Sequence, residues 1–232
     1  MLRYLKSIWA LIAPDLCPSC QAYHRPKKGV FCPACISTLS VTRTLDDPYD
    51  NELIDKFGSN SQIHQGLALY YLDEDSVLES VIYAIKYSGR ADLAYEIGLS
   101  FGRQLNEKNL CKDIDFIIPV PLHKKKLKKR GYNQSQAIVE GMATVLGMKV
   151  NTDALVRIKN TVTQTDMTKE QRLLNVEGAF VLQNTAALKG AHVLLVDDVV
   201  TTGATCTACI DKLNQVDGIK LSVATIALPI DM

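Results

Sequence analysis

The chain has 232 residues, 47% of them apolar and 22% charged, which excludes a disordered polymer and allows one standard domain plus a small module. The net charge of +1 carries no partner information, but the octet "HKKKLKKR" at 123–130 gathers six cations and leaves −5 on the remainder. Seven cysteines, an odd number without a secretory signal, argue against a disulfide framework.

The chain opens with "MLRYLKSIWALIAP", whose uncharged part at 7–13 is too short to span a bilayer and lacks a small-residue cleavage site. It reads as an amphipathic segment packed on the protein. No other stretch approaches transmembrane length, so a reducing cytoplasm is the expected location.

Residues 1–40 form a cysteine-bearing unit. Cys17, Cys20, Cys32 and Cys35 give C-x2-C-x11-C-x2-C. Two residues between cysteines let both sulfurs reach one ion across a tight turn, and a second pair completes a tetrahedron. Structural zinc is the preferred reading over unliganded or redox thiols. A four-thiolate site has no open position, so it acts as a staple, and a unit of this size needs one to fold.

Residues 41–65 are polar, carry a Pro and a Gly, and read as a connecting segment. From residue 66 to the end an α/β domain is expected. "GLALYYLD" predicts a strand, and Val77, Leu78, Val81, Ile82 and Ile85 recur at helical spacing. A second helix is expected over 93–105. "DIDFIIPV" predicts a short buried strand, followed by helical periodicity at Ala137, Ile138, Met142, Val145 and Leu146. "HVLLVDD" predicts another buried strand, then a helix over 203–214 and a last strand, "KLSVATIAL". Unbroken apolar runs alternating with helices indicate a mostly parallel sheet flanked by helices. Cys206 and Cys209 read as packing residues on their helix.

The densest signal is "HVLLVDDVVTTGAT" at 192–205. A strand ends in Asp197 and Asp198, and a loop with Thr201, Thr202, Gly203, Ala204 and Thr205 opens a helix. Loop amides and hydroxyls at a helix start make an anion cradle, and Gly203 permits close approach. There is no P-loop lysine. Vicinal sugar hydroxyls suit the paired carboxylates, directly or through a divalent metal. A ribose with its 5′-phosphate in the Thr loop satisfies both parts. Either part alone is an ordinary acidic strand end or helix cap.

This stretch closely resembles the phosphoribosyl-pyrophosphate (PRPP) motif of type I phosphoribosyltransferases. With "IPVPLHKKKLKKRGYNQSQ" (118–136), "RIKNTVTQTDMTKEQRLLNVEGAF" (157–180) and the cysteine pairs, the chain resembles the ComF family, which includes GntX-like proteins. The resemblance implies a type I phosphoribosyltransferase fold with a mobile hood and a small N-terminal zinc-ribbon-like module holding one Zn2+. It implies ribose contacts at Asp197 and Asp198 and 5′-phosphate contacts at Thr201 to Thr205. The loop after Pro119 matches the pyrophosphate-binding position. Arg130, Gly131, Tyr132, Asn133 and Gln134 match the family's R-G-[FY]-N-Q stretch. Gln164, Thr165, Arg172 and Asn175 match its Q-T…R-x-x-N stretch, where a flap is expected. Lys86 matches a basic position that reaches the pyrophosphate.

The chemistry implied is displacement of pyrophosphate from C1 of PRPP, with Mg2+, Lys86 and Arg130 at the leaving group and a flap excluding water. The acceptor and a general base are not legible. The competing implication is a role in natural competence, handling imported single-stranded DNA with competence DNA-uptake proteins as partners. The 124–130 basic run offers cations for phosphates, and Tyr132 offers a ring for stacking. Taken alone, that run is an ordinary solvated face.

Overall fold

Parallel strands need crossovers, and this chain supplies helices for them. The computed structural model describes residues 16–22, 29–58, 62–161, 171 and 175–230. In chain order the elements are α1 (Pro33–Ile36), α2 (Glu52–Asp55), β1 (Ile63–Leu72), α3 (Val77–Tyr87), α4 (Ala91–Glu107), β2 (Phe116–Pro119), α5 (Lys124–Arg130) and α6 (Gln134–Leu146). Then come β3 (Lys149–Val150), β4 (Leu155–Arg157), β5 (Phe180–Leu182), a 3-10 turn (Thr185–Leu188), β6 (His192–Val199), α7 (Ala204–Leu213) and β7 (Lys220–Pro229).

The main sheet has the order β1-β7-β6-β2-β3, and every neighbouring pair is parallel. β4 and β5 form a separate antiparallel pair. Along β6 the side chains alternate between two cores. Leu194 and Val196 face α3, α4 and α6, while Val193 and Leu195 face α7 and the β4–β5 pair. Both faces are covered, which is why β6 and β7 read as unbroken apolar runs.

Helices α4 and α6 cross closely. A Cβ on Gly98 would stand 2.1 Å from the Ile138 carbonyl oxygen, and one on Gly141 would stand 2.2 Å from that of Tyr95. This contact sets where the α6 N-terminus lies.

The segment expected to be a polar connector differs from that reading. β1 already begins at Ile63, and residues 41–58 pack along its outer edge. Val41 bridges Tyr70, the Thr42 hydroxyl donates to the Ala68 carbonyl, and the Ala68 N–H donates to Thr44 Oγ1. Leu45 and Leu53 are buried in the two cores. Thr and Asn side chains take the place of a strand partner here, so no hydrophobic period announces the contact. The sheet edge is thereby covered.

No described helix is long and apolar enough to cross a membrane. The amphipathic segment expected at 7–13 lies outside the described residues, as do Gln164, Thr165 and Arg172.

Candidate functional site

A cavity of about 420 Å³ opens beyond the C-terminal ends of β2 and β6, where open parallel sheets collect ligands. Its floor is the end of β6. Asp197 and Asp198 are both buried. Ser135 donates to Asp197 Oδ1 at 2.9 Å, and the Asp198 N–H donates to the same oxygen at 2.9 Å. Burial first, and then the charge of Asp198, push the Asp197 carboxyl up to about 7. Lys86, in the last turn of α3, stands 3.4 Å from Asp198 Oδ2.

Thr201 to Thr205 form one rim. Gly203 has φ +77° and is the N-cap of α7, so no side chain caps that helix and its first-turn amides are left to the cavity. A Cβ on Gly203 would meet the Phe57 ring at 3.3 Å and the Lys56 carbonyl at 3.4 Å. The need for glycine thus comes from the turn and from the segment behind it. Cys206 and Cys209 are buried on α7, and the Cys206 thiol faces Asp197 Oδ2 at 3.9 Å.

The second wall is the stretch from β2 to α6. Pro119 is buried and pairs with Val196 inside the sheet, so the cavity lining starts one residue later, at Val120, Pro121 and Leu122. The basic run folds as α5 and splits by helical period. Lys126 and Arg130, four residues apart, line the cavity, while Lys124, Lys125, Lys128 and Lys129 are exposed. Burial, then the charges of Arg157 and Arg130, lower the pKa of Lys126.

Gly131 turns the chain in the left-handed region. Tyr132 donates its hydroxyl to the Ile85 carbonyl and packs half-buried against the core. The ring expected to stack on a base is therefore a brace between the α5–α6 turn and α3. The exposed rings nearby are Tyr83 and Tyr87, 4.9 Å apart, with the Arg130 guanidinium 5.8 Å above Tyr87. Asn133 caps α6 and donates to the Val120 carbonyl at 3.0 Å, tying the two ends of this wall together.

Arg157 and Asn175 complete the lining. Arg157 opens the 157–180 stretch that matches the family, but nothing in the sequence gives it a role there, and it otherwise reads as a lone cation in the apolar run "ALVRI".

Among the described residues, the buried side-chain atoms without a hydrogen-bond partner are Arg130 Nη1, Gln134 Oε1, Arg157 Nε and Asp198 Oδ2. All four residues line this cavity. Buried polar groups are normally satisfied, so their concentration here marks a place built for polar ligand atoms.

The N-terminal cysteines converge as a second site. The sulfurs of Cys17, Cys20, Cys32 and Cys35 all lie within 4.8 Å of one another. Cys17 and Cys35 are 3.7 Å apart, and Cys20 and Cys32 are 3.6 Å apart. A tetrahedral zinc thiolate has S–S edges of ~3.8 Å, from Zn–S bonds of ~2.3 Å, so the donor set fits zinc. Burial opposes ionisation at Cys17, but the N–H groups of Cys32, Cys20 and Ser19 lower it to about 6. Burial and the neighbouring sulfurs push Cys35 up.

Several known proteins are similar to this chain. A family model for the phosphoribosyl transferase domain matches residues 133–230. The chain is similar to competence protein ComFC of Bacillus subtilis, 26% identical over 84% of this chain and 77% of that protein. It is 28% identical to the DNA utilization protein YhgH of Salmonella typhi over 55% of this chain, and spans only 57% of that relative's length. It is 34% identical to competence protein F of Haemophilus influenzae over 45% of each chain. Among solved structures, adenine phosphoribosyltransferase from Saccharomyces cerevisiae aligns over 60% of this chain and 70% of its own, with 18% identity and a TM-score of 0.40.

Proposed function

This chain belongs to the ComF family of the phosphoribosyltransferase superfamily, and we propose that it binds PRPP with Mg2+ and acts in natural competence, handling imported single-stranded DNA in the cytoplasm. The observation that carries the PRPP reading is one cavity that holds a buried acidic pair, an uncapped helix start and the unpaired Arg130 Nη1. Asp197 and Asp198 accept from the ribose 2′- and 3′-hydroxyls. Thr201, Thr202, Thr205 and the first-turn amides of α7 take the 5′-phosphate. The 120–122 loop, Lys86 and Arg130 take the pyrophosphate.

Asp198 Oδ2 suits a divalent ion, because a buried carboxylate oxygen without a hydrogen-bond partner is a hard-cation ligand. Asp198 would hold Mg2+ there, and the ion would supply neutralisation of leaving-group charge. Lys86 would give up Asp198 for the pyrophosphate, and Arg130 would supply its unpaired Nη1. The stretch 164–172 is proposed as the flap that keeps water from C1. In this reading the chain is a phosphoribosyl transfer enzyme or a sensor that retains the site. Zn2+ at Cys17, Cys20, Cys32 and Cys35 staples the N-terminal unit.

The test is PRPP titration by calorimetry with Mg2+. A saturable one-to-one heat supports the reading, and a flat titration of folded protein contradicts it. Elemental analysis should find one zinc per chain, and folded protein without metal would remove that part.

The DNA-handling reading draws on charge. Lys124, Lys125, Lys128 and Lys129 form a solvent-facing cationic strip, and Tyr83 and Tyr87 offer exposed rings next to Arg130 of the same helix. Single-strand affinity should fall steeply with salt, by a log–log slope of about −0.7 per phosphate neutralised. Changing those four lysines to Gln should flatten the slope with PRPP binding retained. A salt-independent affinity would exclude this cationic strip as the contact, leaving phosphoribosyl transfer in nucleotide metabolism as the alternative.

A further inference from the structure

The PRPP contacts proposed above use the Thr loop, the carboxylate pair, the 120–122 loop, Lys86 and Arg130. They leave Arg157 without a task. Arg157 ends β4, lines the cavity and is only 9% exposed. Its guanidinium lies over the Phe180 ring, 5.2 Å from the centroid. One terminal nitrogen donates to Thr161 Oγ1. Its Nε is buried and has no hydrogen-bond partner. The ring and the hydroxyl together fix the plane of the guanidinium, so the Nε–H is held in one direction.

The charge around it is also unbalanced. Among the described residues Lys86 pairs with Asp198, and no carboxylate pairs with Arg157. The carboxyl that acts on it is Asp197, whose ionisation is suppressed by burial and by Asp198. A buried cation without an anion is costly, and a guanidinium edge fits an oxyanion.

Position decides which anion. Arg157 comes from the β4–β5 pair, a different wall from the β6–α7 loop and from the β2–α5 loop. The 5′-phosphate already has hydroxyls and amides, and the pyrophosphate already has Lys86 and Arg130.

Building on the PRPP reading, we propose that Arg157 binds an oxyanion of the acceptor, so that the acceptor carries a carboxylate or a phosphate and is not a neutral nucleobase. The experiment follows the Arg157 Nε–Hε signal by NMR in the full 15N-labelled chain, assigned by its loss in Arg157→Lys. Ribose 5-phosphate, Mg2+ and pyrophosphate are first added to saturation, and orthophosphate or acetate is then titrated.

The signal is expected to shift saturably on this last addition. Followed by calorimetry, uptake of this last anion should weaken at least about tenfold in Arg157→Lys while ribose 5-phosphate affinity stays within about twofold. A signal that reaches its end point on ribose 5-phosphate or pyrophosphate alone would assign Arg157 to PRPP and overturn the proposal. So would a signal that responds to no anion. If wild type takes up no ribose 5-phosphate, the PRPP reading fails. The orthophosphate response of Arg157 then decides separately whether the oxyanion site stands.

Discussion

The two ends of the parallel sheet treat buried polar groups in opposite ways. At the N-terminal end, His192 begins β6 and is buried, yet both ring nitrogens have partners: Nε2 meets Ser222 Oγ at 2.8 Å and Nδ1 meets the Asp113 carbonyl at 3.1 Å. Asp113 pairs with Lys220 at 3.2 Å, and the His64 ring packs edge-on at 5.4 Å. At the C-terminal end, two carboxylates stand side by side, and four buried polar atoms lack hydrogen bonds. The same strand therefore begins in a satisfied network and ends in an unsatisfied one. The first kind of arrangement serves folding. The second is a cost that a ligand removes.

Four experiments break or sharpen that contrast. The largest effect belongs to Asp197→Ala/Asp198→Ala, which removes the floor of the cavity. PRPP affinity measured by calorimetry should fall by about 4 kcal/mol, roughly a thousandfold, since two charge-assisted contacts are lost. A fold-wide collapse in place of lost binding would show that this end serves folding after all.

Gly98→Ala comes next. It drives a Cβ against the Ile138 carbonyl and should cost about 3 kcal/mol in urea unfolding. Because α6 carries Gln134 and Ser135, PRPP affinity should drop as well. Loss of stability with unchanged affinity would separate the helix crossing from the site.

The third effect lies at the satisfied end. Burial lowers the pKa of His192 below the ordinary 6.5, as it does for His64. The unfolded chain then takes protons that the folded chain refuses, so stability falls as pH drops below about 6.5, by at most about 1.4 kcal/mol per pH unit for each proton. His192→Gln should flatten unfolding free energy between pH 7.5 and 5.5.

The smallest effect has the reverse origin. Asp197 is held up to about 7, and its charged form is the one that accepts from ribose hydroxyls. PRPP affinity should weaken several-fold between pH 8 and pH 6, and a flat profile would detach Asp197 from the ligand.

Much of this arrangement is legible in the sequence. The buried strands announce themselves as apolar runs, and the Asp197–Asp198 pair followed by a Thr-rich turn places a charged floor beside an anion cradle. Four cysteines at close spacing predict a cluster that the fold brings within 4.8 Å. What escapes is non-local. The partners of Thr42 and Thr44 lie more than twenty residues away, at Ala68, so the segment reads as a polar connector. Tyr132 beside a basic run looks like a stacking ring, and only the fold shows its hydroxyl on Ile85. Arg157 is one charge in a three-residue strand, and its meaning depends on a cavity built from four other segments.

The most direct measurement is thermal unfolding at pH 8 of wild type and Asp197→Asn, each with and without PRPP and Mg2+. Asparagine keeps an oxygen for Ser135 and for the Asp198 N–H while removing one of two adjacent charges. The ligand-free variant should melt above wild type and gain nothing from PRPP, while wild type gains. A variant that melts below wild type and is still stabilised by PRPP would contradict this.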